Sequence, residues 1–344
     1  MVFGQTTEKD SIDTGTTTLI PIGEDVYAVS PNFAGAAGAL ILNDKGNIVV
    51  DSHGSPASAR ALVAAVETIS DQPIRYVINT HWHVDHHSGN AAYKQAYGND
   101  VIFISHDLTR ADIPGKGTDQ FRQVATYRTR HVKAANDVLD AAVDAHDRPL
   151  TESQKAAIER FRDEQEEFAQ REEPDFVLAD LTFSKSITLH GGPSTVEVFF
   201  LHPAHTRSDA IVYLRDQQIL MIGDLLTKPI LWSWSSYPTG YIATLKELEK
   251  LSIRKIVIGH GGPVLNGTSY MTLVRQFLEA AVAFASESHA AGLDEQAAIE
   301  AASGSPIEDF RRRFVTEEQN EMFDQMVGWT LSRAYLEITE SNQP

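Results

Sequence analysis

The sequence predicts an α/β protein of four layers, in which two packed β-sheets carry helices on their outer faces. Apolar runs of strand length stand between Gly, Asn and Asp turns, and segments of helical periodicity follow them. This series of strands, helix and strand occurs twice, once in residues 1–107 and again in residues 177–267. A helical insertion is predicted between the halves at 108–176, and C-terminal helices packed on the core at 268–344.

The first half begins with four predicted antiparallel strands separated by turn residues of hairpin type. These strands are predicted at 18–22, 26–29, 38–42 and 48–51. The later elements are a helix at 58–69, a buried strand at 74–79, a helix at 89–97 and a strand at 101–105.

The second half repeats this order. Its predicted strands lie at 187–189, 196–201, 210–214 and 218–223, and are followed by a helix at 239–251 and a strand at 255–258. Beyond residue 268 the pattern indicates several amphipathic helices, with breaks at Gly292 and at Gly304-Ser305-Pro306.

The insertion differs from both halves in composition. Residues 118–145 and 152–173 are rich in Arg, Glu, Gln and Ala and contain no Gly. Pro149 separates them, and Thr151 is a suitable N-cap for the second segment, so a helical hairpin is predicted. Two alternatives remain for its role: a solvated pair of helices that covers the core, or a lid or dimer element over the site.

Composition excludes several classes of function. The 344 residues are 42% hydrophobic, which is enough for a sizeable core. Lys and Arg number 29 against 47 Asp and Glu, and the resulting net charge of -18 disfavours nucleic acid and anionic membrane surfaces. There is no Cys, so any metal must be bound by His, Asp or Glu. No apolar run approaches the roughly 20 residues of a membrane span.

The N-terminus gives little information about location. It has neither a basic segment nor a long apolar segment of signal-peptide type. As written, the chain is expected in the cytoplasm. If an export signal has been removed, the expectation changes to the periplasm or to secretion, and both alternatives remain open.

The residues that carry chemistry follow the strand predicted at 74–79. Four His and one Asp fall within seven residues, among them His81, His83, Asp85 and His86. In an extended chain His81, His83 and Asp85 project to one side, and His86 follows where the chain turns. Two imidazoles two residues apart can bind one cation, and the adjacent carboxylate and imidazole can reach a second. Such ligands suit zinc, and also manganese or iron.

This motif resembles the signature of the metallo-β-lactamase superfamily. Three later markers of that family appear in order, each next to a predicted strand. They are His205 within 202–209, Asp224 after 221–223, and His260 within 256–262. The resemblance extends from about residue 17 to residue 265 and implies the four-layer αβ/βα sandwich of that family.

The resemblance also implies a ligand set and an activity. His81, His83 and His205 would bind one zinc ion, Asp85, His86 and His260 a second, and Asp224 would bridge the two. Iron or manganese are alternatives to zinc. A hydroxide between the metals would attack the carbonyl of a small lactam, lactone or ester, with Asp85 as the catalytic residue that orients it and transfers its proton. At most weak β-lactamase activity is expected beside this reaction.

Other activities remain as alternatives. A thioesterase resembling glyoxalase II, or a phosphodiesterase, would use the same centre. A mononuclear iron enzyme resembling the sulfur dioxygenases would use only His81, His83 and His205. In each case the expected partner is a small molecule, without nucleic acid or membrane, and the insertion is a candidate surface for a homodimer.

Further residues have weaker indications. His53 and His202 are candidates to line the cleft, and His87 to support the ligands or lie at the surface. Asp51 and Thr206 are expected to position ligands. Lys228 is a candidate to meet an anionic substrate group or else to be solvated. The aromatic residues Trp232, Trp234 and Tyr237 are predicted to form a substrate wall or to pack in the core.

Overall fold

The computed structural model describes residues 11–32, 35–143, 148–171, 176–192 and 194–341 of the chain. In chain order the strands are β1 Ile12–Asp13, β2 Thr17–Gly23, β3 Val26–Pro31, β4 Gly38–Ile41, β5 Asn47–Val50, β6 Ile74–Ile78, β7 Ile102–His106, β8 Leu181–Phe183, β9 Ser186–Leu189, β10 Val196–Phe199, β11 Ile211–Leu214, β12 Ile219–Met221, β13 Lys255–Val257 and β14 Val264–Asn266. The α-helices are α1 Pro56–Ile69, α2 Val84–His87, α3 Asn90–Tyr97, α4 Asp107–Asp112, α5 Thr118–Ala141, α6 Glu152–Ala169, α7 Pro238–Leu248, α8 Ser269–Ala290, α9 Glu295–Ala301, α10 Arg311–Phe314 and α11 Asn320–Ser341.

The strands form two sheets. The first follows chain order from β1 to β8, and the second has the order β14-β13-β12-β11-β10-β9. Pairing from β1 to β5 is antiparallel, whereas β5, β6, β7 and β8 are parallel. In the second sheet only β12 and β13 are parallel to each other. The carboxyl ends of parallel strands meet at one edge, which brings the loops after β5, β6, β12 and β13 into position for a shared site.

Alternation along the strands produces three apolar layers. In β5, Ile48 and Val50 face the second sheet, whereas Val49 faces the helices α1 and α3. The outer face of the second sheet packs on α7, α8 and α11, where Tyr241 and Phe277 are fully buried. The predicted four-layer α/β architecture with a helical C-terminal region is therefore confirmed.

The insertion folds as the predicted pair of helices. Thr151 caps α6 through a capping box with Gln154, which satisfies two backbone N–H groups at the helix start. Phe121 of α5 and Phe168 of α6 form a small buried cluster with Val84 of α2. Because α2 contains Asp85 and His86 of the metal motif, this cluster fixes the hairpin above that motif.

A few elements differ from the sequence predictions. β1, β8 and β14 were not predicted, since strands of two or three residues have no periodicity of their own and depend on pairing with β2, β7 and β13. α5 ends at Ala141, four residues before the predicted end. Ala142 adopts a left-handed conformation there, and its N–H donates a hydrogen bond to the Val138 carbonyl. The predicted helix ends at 144–145 and 172–173 lie outside the described residues. Among the described helices, none has the length and apolarity needed to cross a membrane.

Candidate metal centre

The loop after β6 folds differently from the extended chain that the sequence suggested. The chain turns at His83, which precedes the single helical turn of α2. The N–H of His86 donates to the His83 carbonyl over 3.1 Å, and the N–H of Ser88 to the Val84 carbonyl over 2.9 Å. The expectation that Asp85 continues the alternation of His81 and His83 is therefore wrong. The helical turn instead directs Asp85 and His86 together toward a second group of ligands.

Three other loops complete the site. His205 lies between β10 and β11, Asp224 in the turn after β12, and His260 in the loop after β13. The turn that contains Asp224 and the loop that contains His260 approach so closely that a Cβ at Gly259 would clash with the Asp224 carboxylate. Glycine at this position is therefore a packing requirement of the site.

The structure brings all seven predicted ligands together in two adjacent groups. The first group is His81, His83, His205 and Asp224, and the second is Asp85, His86 and His260. Within each group the ligand atoms lie within 4.8 Å of one another.

Asp224 lies between the groups. Its Oδ2 atom is 3.6 Å from His205 Nε2 and 3.9 Å from His81 Nε2. Its Oδ1 atom is 3.2 Å from His86 Nε2 and 3.4 Å from His260 Nε2. One carboxylate therefore presents one oxygen to each group.

The polar atoms of the site fit a bound cation. In the described part of the chain, His81 Nε2, His86 Nε2 and Asp224 Oδ1 are buried without a hydrogen bond of regular geometry. Buried polar atoms normally have hydrogen-bond partners, so buried atoms that converge without such partners fit a bound cation. Five imidazoles and two carboxylates without a thiolate form a suitable set for divalent metals such as zinc.

A network behind the ligands fixes their orientation. The Asp51 carboxylate lies 2.7 Å from His86 Nδ1 and accepts hydrogen bonds from the N–H and hydroxyl of Thr80. The Thr80 hydroxyl also contacts His81 Nδ1 at 3.0 Å. These contacts leave Nε2 of both imidazoles directed at the centre, as in other metal sites supported by a carboxylate.

The imidazoles of the first group are neutral. Burial lowers the pKa of His81 and of His83 well below the usual range, and nearby imidazoles lower it further. Burial likewise lowers the pKa of His205 to about 4. Neutral imidazole is the form that binds a metal, so this group is ready to accept a cation.

In the second group, by contrast, the neighbouring carboxylates raise the pKa of both imidazoles. Burial opposes the charge of His260, but the Asp224 and Asp85 carboxylates outweigh it and raise its pKa to about 10. The same carboxylates and Asp51 raise the pKa of His86 well above the usual range, also against burial. Burial opposes ionisation of Asp224, but the two imidazolium groups hold its pKa well below the usual range.

Two cavities adjoin the ligands. One of about 300 Å³ contains His83, Asp85, Asp224 and His260 in its wall. The rest of its wall consists of Gly35, Val84, Gln120, Val124, Tyr127, Arg128, His131, Gln165 and Trp232. The second, of about 350 Å³, is lined by Trp82, Lys116, Asp119, Gln120, Gln123, Arg207, Trp234, Ser235, Tyr237 and Arg333.

The aromatic residues predicted as a substrate wall line these cavities. Trp232 belongs to the first cavity, and Trp234 and Tyr237 to the second. Trp234 stacks on the His83 imidazole with a centroid distance of 4.8 Å and an interplanar angle of 16°. It therefore positions a ligand as well as forming a wall.

The other predicted residues lie away from the cavities. His53 is buried 3.4 Å from the Ala36 carbonyl, and His87 is buried 3.0 Å from the Trp82 carbonyl. His202 is exposed. Lys228 lies over the Tyr270 ring at 4.8 Å. Thr206 donates from its N–H and its hydroxyl to Asp209, which holds the loop of His205 in place.

Sequence reasoning missed the residues that the insertion contributes. Gln120, Val124, Tyr127, Arg128 and His131 of α5 line the first cavity. Apart from the adjacent pair Tyr127 and Arg128, they are spaced by three or four residues and mark one helix face, a signal that was available in the sequence. The lid alternative for the insertion agrees with this position.

Comparisons with known proteins agree with the fold. The Metallo-beta-lactamase superfamily model matches residues 38–260. A linear primary-alkylsulfatase from Pseudomonas sp. (strain ATCC 19151) is 24% identical over 240 residues, or 65% of this chain and 41% of that protein. The chain thus spans less than half the length of that relative.

Solved structures show the same fold. A metallo beta lactamase from Erythrobacter litoralis has a TM-score of 0.55 at 16% identity, covering 78% of this chain and 99% of that chain. The metallo-beta-lactamase FIM-1 from Pseudomonas aeruginosa, in its mono-zinc form, has a TM-score of 0.54 at 17% identity, covering 77% of this chain and 96% of that chain.

Proposed function

The chain belongs to the metallo-β-lactamase superfamily, and we propose that this metallo-hydrolase uses two zinc ions to hydrolyse the acyl C–O or C–N bond of a small ester, lactone or lactam. The observation that carries the proposal is the position of Asp224 between two complete groups of ligands. A mononuclear iron centre would need only the first group. The second group, with its own carboxylate and two imidazoles, supports a second cation.

The residues of the chain have distinct roles in this reaction. When bound, two divalent cations lower the pKa of a water molecule and polarise the bond to be broken. The Asp85 carboxylate faces the cavity 3.1 Å from His260 Nε2. Burial opposes its ionisation, but His86 and His260 hold its pKa below the usual range. An ionised Asp85 can accept a hydrogen bond from the attacking water, orient it and take its proton.

A second candidate reaction is the hydrolysis of a sulfate ester. The match of 24% identity with a linear primary-alkylsulfatase favours it. Since the chain covers 41% of that relative, the activity in the relative's name is a proposal for this chain and not a property carried over to it.

Metal analysis and a substrate panel test the proposal. Zinc-loaded protein is expected to contain two zinc ions per chain and to cleave p-nitrophenyl butyrate, a homoserine lactone or nitrocefin, with loss of activity in chelator. His83→Ala removes a ligand and should abolish turnover, whereas His202→Ala changes an exposed imidazole and should not.

Each alternative reaction predicts a different result in these experiments. Cleavage of hexyl sulfate alone, with two metals bound, would replace the carbonyl reaction by the sulfate ester reaction. One iron per chain with consumption of oxygen would contradict both.

A further inference from the structure

The loop between β12 and α7 contacts the metal ligand His83, which belongs to the other half of the chain. This loop contains Trp234 and Ser235. The Trp234 ring stacks on the His83 imidazole, and the Ser235 hydroxyl oxygen lies 3.3 Å from His83 Nε2. Two neighbouring side chains of one loop therefore hold the same imidazole, one at its ring face and the other at a ring nitrogen.

The partners of the Ser235 hydroxyl determine the direction of its hydrogen. Its oxygen lies 3.0 Å from the carbonyl oxygen of His205, and a carbonyl can only accept a hydrogen bond. A hydroxyl has a single hydrogen, so a Ser235 that donates to this carbonyl can only accept from the imidazole of His83. Nε2 of His83 must then carry the ring proton and donate it to Ser235.

This position of the proton selects the ring nitrogen of His83 that can bind a metal. A neutral imidazole has one N–H and one nitrogen that accepts. Nδ1 of His83 lies 3.0 Å from His205 Nε2, within the first group of ligands. With the proton on Nε2, the lone pair of His83 is on Nδ1 and lies within this group.

His83 differs in this respect from the other imidazoles of the centre. Each of the others has its Nε2 atom 3.2–3.9 Å from a carboxylate oxygen of Asp224. They are His81, His86, His205 and His260. Because His83 faces the centre through Nδ1, the residue that supports it has to lie at Nε2, which is the position of Ser235.

We propose that Ser235 is a positioning residue of the metal centre, which holds His83 in the tautomer that binds a metal through Nδ1. In this arrangement Trp234 restricts the plane of the ring and Ser235 selects the nitrogen. Both residues also line the cavity of about 350 Å³, so that cavity shares a wall with the first group of ligands. The inference rests on the metal centre of the proposed function, but it does not depend on which substrate is cleaved.

Zinc affinity tests the proposal without a substrate. Zinc is removed from zinc-loaded protein by titration with a chromophoric chelator. Ser235→Ala should bind zinc about tenfold more weakly or less tightly still, because the partners of metal-binding imidazoles typically contribute 10- to 100-fold in affinity. Ser235→Thr keeps the hydroxyl and should remain close to the wild type. The matched control is Ser236→Ala, since the Ser236 hydroxyl is buried without a hydrogen-bond partner in the described chain, and it should bind zinc like the wild type.

Nuclear magnetic resonance of the zinc-loaded protein, with ¹⁵N-labelled histidine, measures the tautomer directly. One ligand imidazole should bind zinc through Nδ1 and carry a proton on Nε2, and that signal should be absent from His83→Ala. In Ser235→Ala this Nε2 proton should exchange faster with water, since its acceptor is removed. A role confined to loop structure would not change that exchange.

Two results would overturn the proposal. One is zinc bound to His83 through Nε2. The other is a Ser235→Ala variant with the zinc affinity and the Nε2 proton exchange of the wild type. If the expected results are obtained with a protein that cleaves none of the panel substrates, the role of Ser235 is supported while the proposed reaction fails. A wild-type protein that binds no zinc would overturn both.

Discussion

The floor and the roof of the metal-centre cavity are built in different ways. The floor consists of seven ligands at the ends of strands from both sheets, with Asp51 and Thr80 behind them. The roof consists of two helices inserted between β7 and β8. Rigid strand ends hold reacting groups accurately, whereas inserted elements vary freely without disturbing them. Under the proposed function, this difference would place the chemistry in the floor and the choice of substrate in the roof.

The two regions also differ in what stabilises them. Three apolar cores support the sheets that carry the floor. The roof depends on the small cluster of Val84, Phe121 and Phe168. The ion pair between Arg60 and Glu167 is exposed and contributes little. We therefore expect the roof to open without loss of the metals.

The largest effect is expected from Asp224→Ala, which removes the carboxylate shared by both ligand groups. Both metals should bind weakly and turnover should fall below detection, because each group loses its contact with Asp224. Mass spectrometry measures the metal content, and the substrate panel measures turnover. Asp216→Ala, an exposed acid before β12, is the control. Two metals retained by Asp224→Ala would show that the floor is not a single dinuclear unit.

A smaller effect is expected from Asp51→Asn, which alters the support of the floor and leaves all seven ligands in place. The amide cannot match the charge that Asp51 presents to His86 Nδ1, so zinc affinity or turnover should fall about 10- to 100-fold. Asp51 has a left-handed φ of 60°, which Asn tolerates, so the backbone should be preserved. Asp25→Asn changes an exposed turn residue with a φ of 55° and should have no such effect. If Asp51→Asn had the zinc affinity and turnover of the wild type, Asp51 would not support the metal ligands.

The residues of the floor were largely predictable from the sequence, whereas for the roof only its pair of helices was predicted. The four motif ligands are close in sequence, and the resemblance to the family implied His205, Asp224 and His260. The helical turn at α2 was missed because short-range alternation does not reveal where a strand stops. Which residues of α5 and α6 line the cavity depends on how the hairpin packs on the core. That packing is a long-range property, although the periodicity of α5 indicated the face involved.

Phe168→Ala tests whether the roof is separable from the floor. Phe168 is fully buried, and its truncation should destabilise the hairpin by about 3–5 kcal/mol. Amide exchange should rise in α5 and α6 and KM should increase, with metal content unchanged. Phe277→Ala makes the same truncation in the core beneath the second sheet and should lower global stability instead. Loss of metal in Phe168→Ala would contradict the separation of roof and floor.

The smallest effect is expected from Asp209→Asn, which tests how the floor tolerates a further buried acid. Burial raises the pKa of Asp209 to about 7, although its hydrogen bonds from Thr206 oppose the shift. Between about pH 4 and pH 7 this carboxyl ionises in the unfolded chain but not in the folded one, so stability falls as the pH rises through that window. An Asn oxygen can accept the same hydrogen bonds but does not titrate. In metal-free protein, urea midpoints should therefore decline less with pH in Asp209→Asn than in the wild type. The exposed Asp216→Asn should follow the wild type. An unchanged slope in Asp209→Asn would mean that burial does not keep this carboxyl protonated in the folded chain.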